Sequence, residues 1–203
     1  MSIEQYQGVL EKVSSWMVED PVASKRLYLR VMDKKDFPAF VKIYGDPAVT
    51  LPASRKVYGN IDDLAKIFVF LLHSAGFPTH FAICRKEDDE MIGLFDFELH
   101  PVCHEQELEG MQGISLSFMI NRDNQKKGYM SELLECVLDY YLVRHDLDFV
   151  NSGYIQGNAG SKRLHEHSSM QYLKTMDFIG EDCQTVEFIA FGKDRRHVEH
   201  EVS

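Results

Sequence analysis

A turn near the middle of the chain carries residue types that could hold an anion. A short apolar run comes first and a polar turn follows it, in the order Phe118, Met119, Ile120, then Gln125, Lys126, Lys127 and Gly128. A strand that runs straight into a helix leaves the first helical N–H groups without partners, and the helix dipole favours an anion there. Glycine at this turn lets the backbone approach a bulky anion, because it has no Cβ. The turn predicts a phosphate or pyrophosphate site, with an ordinary strand–turn–helix junction as the alternative.

The residues after the turn predict a helix with one buried face. Apolar side chains recur at helical spacing until the pattern ends near Arg144: Leu133, Leu134, Val137, Leu138, Tyr141 and Leu142. Such a stripe packs a helix against a core and so fixes the direction in which its first N–H groups point.

Composition limits the class of protein. The 203 residues can bury a sizeable core and are most simply one domain, and 44% hydrophobic and 27% charged residues are ordinary for a soluble protein. A net charge of -10 argues against a nucleic-acid partner, which usually needs a basic face. The acidity fits a cationic or amine-bearing partner, although solubility alone is the more common reason for such a charge.

Cysteine usage and hydropathy favour a cytoplasmic protein without a membrane partner. The four cysteines, at 84, 103, 136 and 183, form no C-x-x-C pair, so reduced thiols are expected. The first residues do not read as a secretion signal, and the longest apolar run, at 67–72, is too short to cross a bilayer. His165, Glu166, His167 and His145 do not share one helix face at metal-ligand spacing, so no metal is expected.

The pattern of elements predicts a mixed sheet. Before the turn we expect a helix at 3–17, a strand at 26–32, a helix at 33–44, a loop at 45–60, a helix at 61–74, and strands at 80–85 and 91–99 joined by an acidic turn. From the turn onward we expect a strand at 113–120, the helix to about 144, a strand at 149–156, a long helix at 161–176 and a strand at 185–191. The strand–helix–strand unit at the turn should be a right-handed crossover between parallel strands.

This order of elements, with NQKKGYMSELL in its place, resembles the GNAT superfamily of N-acetyltransferases. The opening RLYLRVMDKKDFPAFVKIYGDP and the strand MIGLFDFEL are similar to its RimJ/RimL-like branch. The resemblance covers about 24–191, which leaves an N-terminal helical extension at 1–22 and a charged tail at 192–203 of a single GNAT-like domain. It implies an α+β fold: a twisted, mostly antiparallel mixed sheet, flanked by helices, with one parallel strand–helix–strand unit.

The resemblance also implies a site for acetyl-coenzyme A. The family's pyrophosphate turn, Gln/Arg-x-x-Gly-x-Gly/Ala, corresponds to Gln125, Lys126, Lys127, Gly128, Tyr129 and Met130. The flanking Phe118, Met119, Ile120 and Ser131 and the later Asn158 and Ser161 complete the expected coenzyme site. The family's helix after that asparagine ends in Leu-Gly-Phe, which here corresponds to Met176-Asp177-Phe178. An alternative alignment puts Glu166 at the asparagine position.

Two positions depart from the family's pattern. Met130 stands where the family has a small residue, and Ser115 stands where it often has a glutamate that takes a proton from the amine. Serine cannot be a comparable base. A base is still needed, because an amine attacks a thioester only when neutral. Glu98 is the predicted base, with Asp96, His100 and His104 as alternatives.

A backbone N–H near Met119 would hold the tetrahedral oxyanion. The resemblance implies the proton donor: in many relatives a tyrosine seven residues after the asparagine protonates the leaving thiolate, and that position here is His165, which can also titrate near neutral pH. The alternatives are a polar strand face for Glu98 and a solvated helix residue for His165. The sequence thus predicts an acetyl-coenzyme A-dependent N-acetyltransferase acting on a protein N-terminus or a small-molecule amine. A non-catalytic acyl-coenzyme A-binding or scaffold protein is the alternative. The sequence does not fix the oligomeric state, and a homodimer is one alternative to a monomer.

Overall fold

The computed structural model describes residues 3–53, 55–73, 76–98, 108–177 and 183–194, apart from the side chain of residue 3. The helices are α1 (Ile3–Glu19), α2 (Phe37–Tyr44), α3 (Pro47–Thr50), α4 (Ile61–His73), α5 (Tyr129–Asp139) and α6 (Ala159–Glu166). The strands are β1 (Leu27–Val31), β2 (His80–Arg85), β3 (Met91–Phe97), β4 (Gly113–Ile120), β5 (Phe149–Ile155), β6 (Gln171–Asp177) and β7 (Gln184–Phe191). In these ranges no helix combines the length and apolar character that a bilayer crossing needs.

Local sequence accounts for the start of the helical segment that follows β1. Asp33 accepts a hydrogen bond from Lys35 N, and the Asp36 carboxylate accepts one from Asp33 N, which together form a capping box. Arg30 on β1 pairs with Asp36 at 2.7 Å and so ties the strand to the cap. The expected aspartate-capped helix is confirmed, with a 3₁₀ turn at Lys34–Asp36 before α2.

The strands form one seven-stranded mixed sheet in the order β1-β2-β3-β4-β5-β7-β6. Only the pair β4 and β5 is parallel among these neighbours, and α5 lies on the connection between them. All other neighbouring pairs are antiparallel. The α+β class, the hairpin of β2 and β3 and the parallel unit are confirmed.

Strands β4 and β5 separate partway along their length. They pair only over Gly113–Ser115 and Phe149–Asn151, as their register shows. Beyond that point β4 stays paired with β3 as far as Ile120, whereas β5 stays paired with β7 as far as Ile155. Each strand therefore follows its own half of the sheet, and a gap opens between them at their carboxyl ends.

Helices cover both faces of the sheet. On one face α1, α5 and α6 pack over a core that includes Tyr6, Phe95, Phe97, Leu133 and Tyr141. On the other face α2 and α4 cover a second cluster, which includes Met32, Phe40, Phe68, Leu94 and Met119. The central strand β3 is buried along its whole length, so the expected split into one packed and one polar face is replaced by burial on both sides.

The predicted long helix at 161–176 is wrong. Helix α6 ends at Glu166, and the segment that follows forms the edge strand β6, paired with β7. This strand is largely exposed, with Tyr172 at 59%, so its sequence lacks the apolar alternation of an interior strand. Strand β6 gives the sheet a seventh strand, where the sequence predicts six.

Smaller differences concern the connections. The expected loop at 45–60 contains α3 and a 3₁₀ turn at Leu51–Ala53, and the last turn of the α5 segment, Tyr140–Arg144, is π-helical. His100, His104, Phe178 and the tail from 195 onward lie outside the described residues.

Candidate active site

The predicted anion turn lies at the carboxyl end of β4, at the mouth of the gap. The Asn121 side chain accepts a hydrogen bond from Asn124 N and closes a 3₁₀ turn there. Lys126 and Gly128 then adopt left-handed backbone conformations, with φ of 60° and 75°. Gly128 is the N-cap residue of α5 and has no side chain to satisfy the helix amides. The two left-handed residues turn the chain abruptly from strand into helix.

The first amide groups of α5 are directed out of the helix. Its opening backbone hydrogen bond runs from Glu132 N to Gly128 O at 3.2 Å. The N–H groups of Tyr129, Met130 and Ser131 precede that bond and have no carbonyl of the helix to bind. With the positive end of the helix dipole they form an anion cradle, which fits the pyrophosphate of a coenzyme.

Arg26 adds a positive charge to this cradle. It comes from the residue before β1, and its Nη1 donates to the Lys127 carbonyl at 3.1 Å. Its guanidinium lies 4.4 Å from the ring centroid of Tyr129 and pairs with Glu132 at 2.7 Å. We missed Arg26 in the sequence because it lies about a hundred residues from the turn that it supports.

The remaining turn residues are distributed between solvent and core. Lys126 and Ser131 are exposed, Gln125 Nε2 donates to the Ile120 carbonyl at 3.2 Å, and Met130 packs against the core. Because Met130 points its side chain into the protein, it leaves the first turn of α5 intact.

Asn158 and Ser161 lie at the start of α6, directly after β5. Asn158 caps the helix by accepting a hydrogen bond from Ser161 N at 3.0 Å. Its Nδ2 donates to the Pro52 carbonyl at 2.9 Å, so it also binds the segment after α3. Asn158 therefore follows the carboxyl end of β5 directly, whereas Glu166 is the last residue of α6.

His165 lies against the gap on the face that α5 and α6 cover. Its ring is fully buried and stacks on Phe118 of β4 with centroids 6.0 Å apart. Nδ1 donates to the Ser161 carbonyl at 2.8 Å, since a carbonyl oxygen can only accept, and Nε2 lies 3.1 Å from Ser152 Oγ on β5. Burial lowers the pKa of His165, so the ring is held neutral.

Glu98 lies on the opposite face of the sheet, so the two predicted catalytic side chains approach the gap from different sides. Its half-exposed carboxylate is 3.4 Å from Arg55. Arg55 also donates to Ser117 Oγ at 3.0 Å and lies 3.7 Å from the buried Asp96. Burial raises the pKa of Asp96, and His80 stands 3.8 Å from it on β2.

A row of polar side chains crosses the strands beside Glu98. Ser115, the residue at the family's acidic position, is buried and donates from Oγ to Asn151 Oδ1 at 3.0 Å. Asn151 Nδ2 in turn donates to Glu187 on β7 at 3.2 Å. Burial raises the pKa of the Glu187 carboxyl. Sequence reasoning missed Glu187, although a single acidic residue within the apolar strand TVEFIAF was a detectable signal.

The backbone of β4 offers donors to the gap. Glu98 N donates to Ser115 O and Asn121 N donates to Ile92 O, in one register with β3. Hydrogen bonds alternate along an antiparallel pair, so the odd-numbered residues of β4, including Met119, bind β3. The N–H group next to Met119 that faces the gap therefore belongs to Phe118.

No group of three or more His, Cys, Asp or Glu side chains with metal-binding geometry occurs within the described ranges. Cys84, Cys136 and Cys183 are free thiols. The site as described is built from backbone amides, carboxylates, two arginines and a histidine.

Comparisons with known proteins agree with this architecture. The family model "Acetyltransferase (GNAT) domain" matches residues 26–171. The chain is 23% identical to an uncharacterized N-acetyltransferase, p20, of Bacillus licheniformis over 73% of this chain and 80% of that protein. The fold is similar to that of a GNAT acetyltransferase from Bacillus anthracis, with a TM-score of 0.70, 17% identity, and coverage of 85% and 99%.

A second solved structure belongs to the RimJ/RimL-like branch that the sequence resembles. RimL, a ribosomal L7/L12 alpha-N-protein acetyltransferase in complex with coenzyme A, matches with a TM-score of 0.62 and 17% identity, covering 85% of this chain and 98% of that one. These likenesses establish the fold, and the family model covers well over half of the chain. The chain belongs to the GNAT acetyltransferase family.

Proposed function

We propose that the protein transfers an acetyl group from acetyl-coenzyme A to a primary amine. The observation that carries the proposal is the combination of the Gly128 cradle with the gap between β4 and β5. A pyrophosphate on the cradle would direct the rest of the coenzyme into the gap. There the thioester would lie between the Phe118 N–H and the polar row of Ser115 and Asn151. RimL's complex with coenzyme A supports the choice of coenzyme.

The chain's own residues supply the chemistry around that thioester. Residues of the cradle would bind the phosphates through the Tyr129–Ser131 amides, with Gln125, Lys126, Lys127 and Arg26 around them. The Phe118 N–H would stabilise the oxyanion that develops on the acetyl carbonyl. Asn158 and Ser161 would border the coenzyme from the start of α6.

The two side chains named on sequence grounds take proposed roles at the two sides of the gap. Glu98, the base that the sequence predicts, would attract the acceptor ammonium. His165 would donate a proton to the leaving thiolate. Its protonated form is a minority species at neutral pH, because burial lowers its pKa. The amine forms the C–N bond as the C–S bond breaks. Of the two protons that the ammonium nitrogen loses, one goes to the base, and the other passes through solvent and replaces the proton that His165 gives to the thiolate.

The acceptor is proposed to be a protein N-terminus or a small-molecule amine. An N-terminal amine has a pKa near 8 and needs less help from a base than a lysine near 10, which suits a site lacking an acidic residue at position 115. Asp96 and Glu98 share one arginine, Arg55, and this acidic excess also favours a cationic acceptor.

The test is release of free coenzyme A from acetyl-coenzyme A with a panel of amines and N-terminal peptides. We expect amine-dependent thiol release with an acetylated product visible by mass spectrometry. If no acceptor is acetylated, the proposed acetyl transfer is refuted.

The second candidate is a non-catalytic protein that retains coenzyme binding. Ser115 is the observation that favours it, because this buried hydroxyl bonds to Asn151 and cannot replace a carboxylate. Stoichiometric binding of coenzyme A without transfer to any acceptor would select this candidate.

A further inference from the structure

Glu187 is a buried carboxylate that the roles above leave unused. It is 3% exposed, and it lies in the register position opposite Gly153 of β5. A Cβ on Gly153 would stand 2.6 Å from both Glu187 carboxylate oxygens. The glycine therefore makes the space that the carboxylate occupies, and the carboxylate covers the backbone of β5.

That part of β5 borders the gap. Pairing between β4 and β5 ends at Asn151, two residues before Gly153. Residues two apart on a strand share a face, so Gly153 and Asn151 both face the side on which Ser115 Oγ lies. Glu187 is joined to this row by the hydrogen bond from Asn151 at 3.2 Å. It stands beside the gap from the β7 side, as Glu98 does from the β3 side.

The charged groups facing Glu187 are Glu98 and Lys174, and the neutral partners are Asn151 and Thr185. Glu98 opposes ionisation of Glu187 and Lys174 favours it, while burial is the largest influence and favours the neutral acid. Glu98, in contrast, has an arginine 3.4 Å from its carboxylate. The hydrogen bonds to Glu187 from Asn151 and Thr185 come from neutral groups, so its carboxylate can still take a proton from a cationic acceptor.

We propose that Glu187 is the general base that takes the proton from the acceptor ammonium, and that it supplies the carboxylate function absent at Ser115. This inference rests on the proposed acetyl transfer. Glu98 with Arg55 then binds and orients the acceptor. One ammonium proton passes to the Glu187 carboxylate, the neutral amine forms the C–N bond, and the C–S bond breaks as His165 protonates the thiolate. The second proton leaves nitrogen through solvent and restores the proton on His165.

The test is the pH profile of kcat/KM for the acceptor in E187Q, with acetyl-coenzyme A saturating. Glutamine keeps the hydrogen bond to Asn151 but cannot accept a proton. We expect a loss of about 100-fold near pH 7, in the range typical for a general base. The loss should shrink as the pH rises toward the pKa of the acceptor amine, because a neutral amine needs no base. The affinity for coenzyme A should not change.

Two further variants separate this role from a structural one. G153A keeps the Glu187 carboxylate but displaces it, so the same pH-dependent loss is expected, and it serves if E187Q does not fold. E135Q is the matched control, since Glu135 on α5 also accepts hydrogen bonds, from Ser169, but lies away from the gap. Its profile should equal that of the wild type.

The outcomes are distinct. Wild-type protein without transfer to any amine would refute the proposed function itself. If the wild type is active, any of three results would overturn the role of Glu187 alone. E187Q or G153A could keep the wild-type pH profile, or either could lose activity equally at all pH values. The third result is that E98Q, but not E187Q, removes the fall in kcat/KM at low pH.

Discussion

At the scale of single residues, burial decides what the polar groups of the site can do. His165 and Glu187 are both buried beside the gap, and burial shifts the pKa of each toward its neutral form. The histidine is held by Ser161 and Ser152, and the glutamate by Asn151. Both shifts have the same main cause, the loss of hydration of the charged form, and the hydrogen bonds that hold the two side chains join them to neutral groups.

His165 gives a prediction about stability. Its folded-state pKa is lowered, so above the unfolded value near 6.5 both states are neutral and the residue contributes no pH dependence. Below that value the unfolded chain binds a proton that the native ring resists, so stability falls as the pH falls toward the folded pKa. H165F should flatten this part of the curve by up to about 1.4 kcal/mol per pH unit.

Urea denaturation between pH 7 and 5 measures the effect. His167 provides the control, since its ring is exposed and H167F should keep the wild-type slope. If H165F showed the same slope as the wild type, the ring would not be buried and neutral as described.

Acetyl transfer by H165F, assayed in the same series, should fall while the KM for acetyl-coenzyme A stays constant if His165 is the proton donor.

At the scale of elements, the N-terminal helix takes part in the sheet beside the site. Tyr6 on α1 donates its hydroxyl to the Glu98 carbonyl at 2.9 Å and accepts from Ser115 N at 3.1 Å. It thus bridges β3 and β4 where their ladder ends. The helix that the sequence predicts as an extension is therefore attached to the backbone of the two residues on which the catalytic argument depends.

The Y6F substitution tests this attachment. Removing a hydroxyl that serves two buried backbone groups should cost about 1–3 kcal/mol in the free energy of unfolding. Y154F is a control tyrosine on β5, partly buried in the same core. We expect a lower unfolding midpoint for Y6F. We also expect weaker acceptor binding, because the Tyr6 hydroxyl no longer holds the backbone carbonyl of Glu98 in place. An unchanged midpoint for Y6F would contradict the bridge.

How far each element could be predicted depends on where its determinants lie in the chain. Strand β4 and the Gly128 turn are specified locally, by an apolar run, a glycine and an amphipathic helix, and their bounds match the prediction. Strand β6 is an exposed edge whose structure comes from pairing with β7, so its own residues resemble a helix. The Glu187–Gly153 contact and the contact of Arg26 with the turn join segments that are distant in the sequence. No local sequence pattern predicts such contacts.

At the scale of the whole molecule, the acidic chain concentrates part of its positive charge around the cradle. The net charge is -10, yet Arg26, Lys126 and Lys127 surround the turn where a phosphate would bind. At physiological salt, charges more than about 8 Å away are strongly screened, so the nearby donors determine how a polyphosphate binds. The acidic groups lie across the sheet, where a cationic acceptor is proposed. The two substrates would thus meet opposite charges on opposite faces.

The central claim is that the Gly128 turn and the gap hold acetyl-coenzyme A, and calorimetric titration with coenzyme A tests it most directly. The wild type should bind one equivalent, and G128A should bind at least about tenfold more weakly, since a Cβ at φ 75° strains the turn by about 1–2 kcal/mol and intrudes on the cradle. G110A is the matched control, because Gly110 also has a left-handed φ of 83° but precedes β4 at its other end. No binding by the wild type at millimolar ligand, or equal affinity in G128A, would contradict the account.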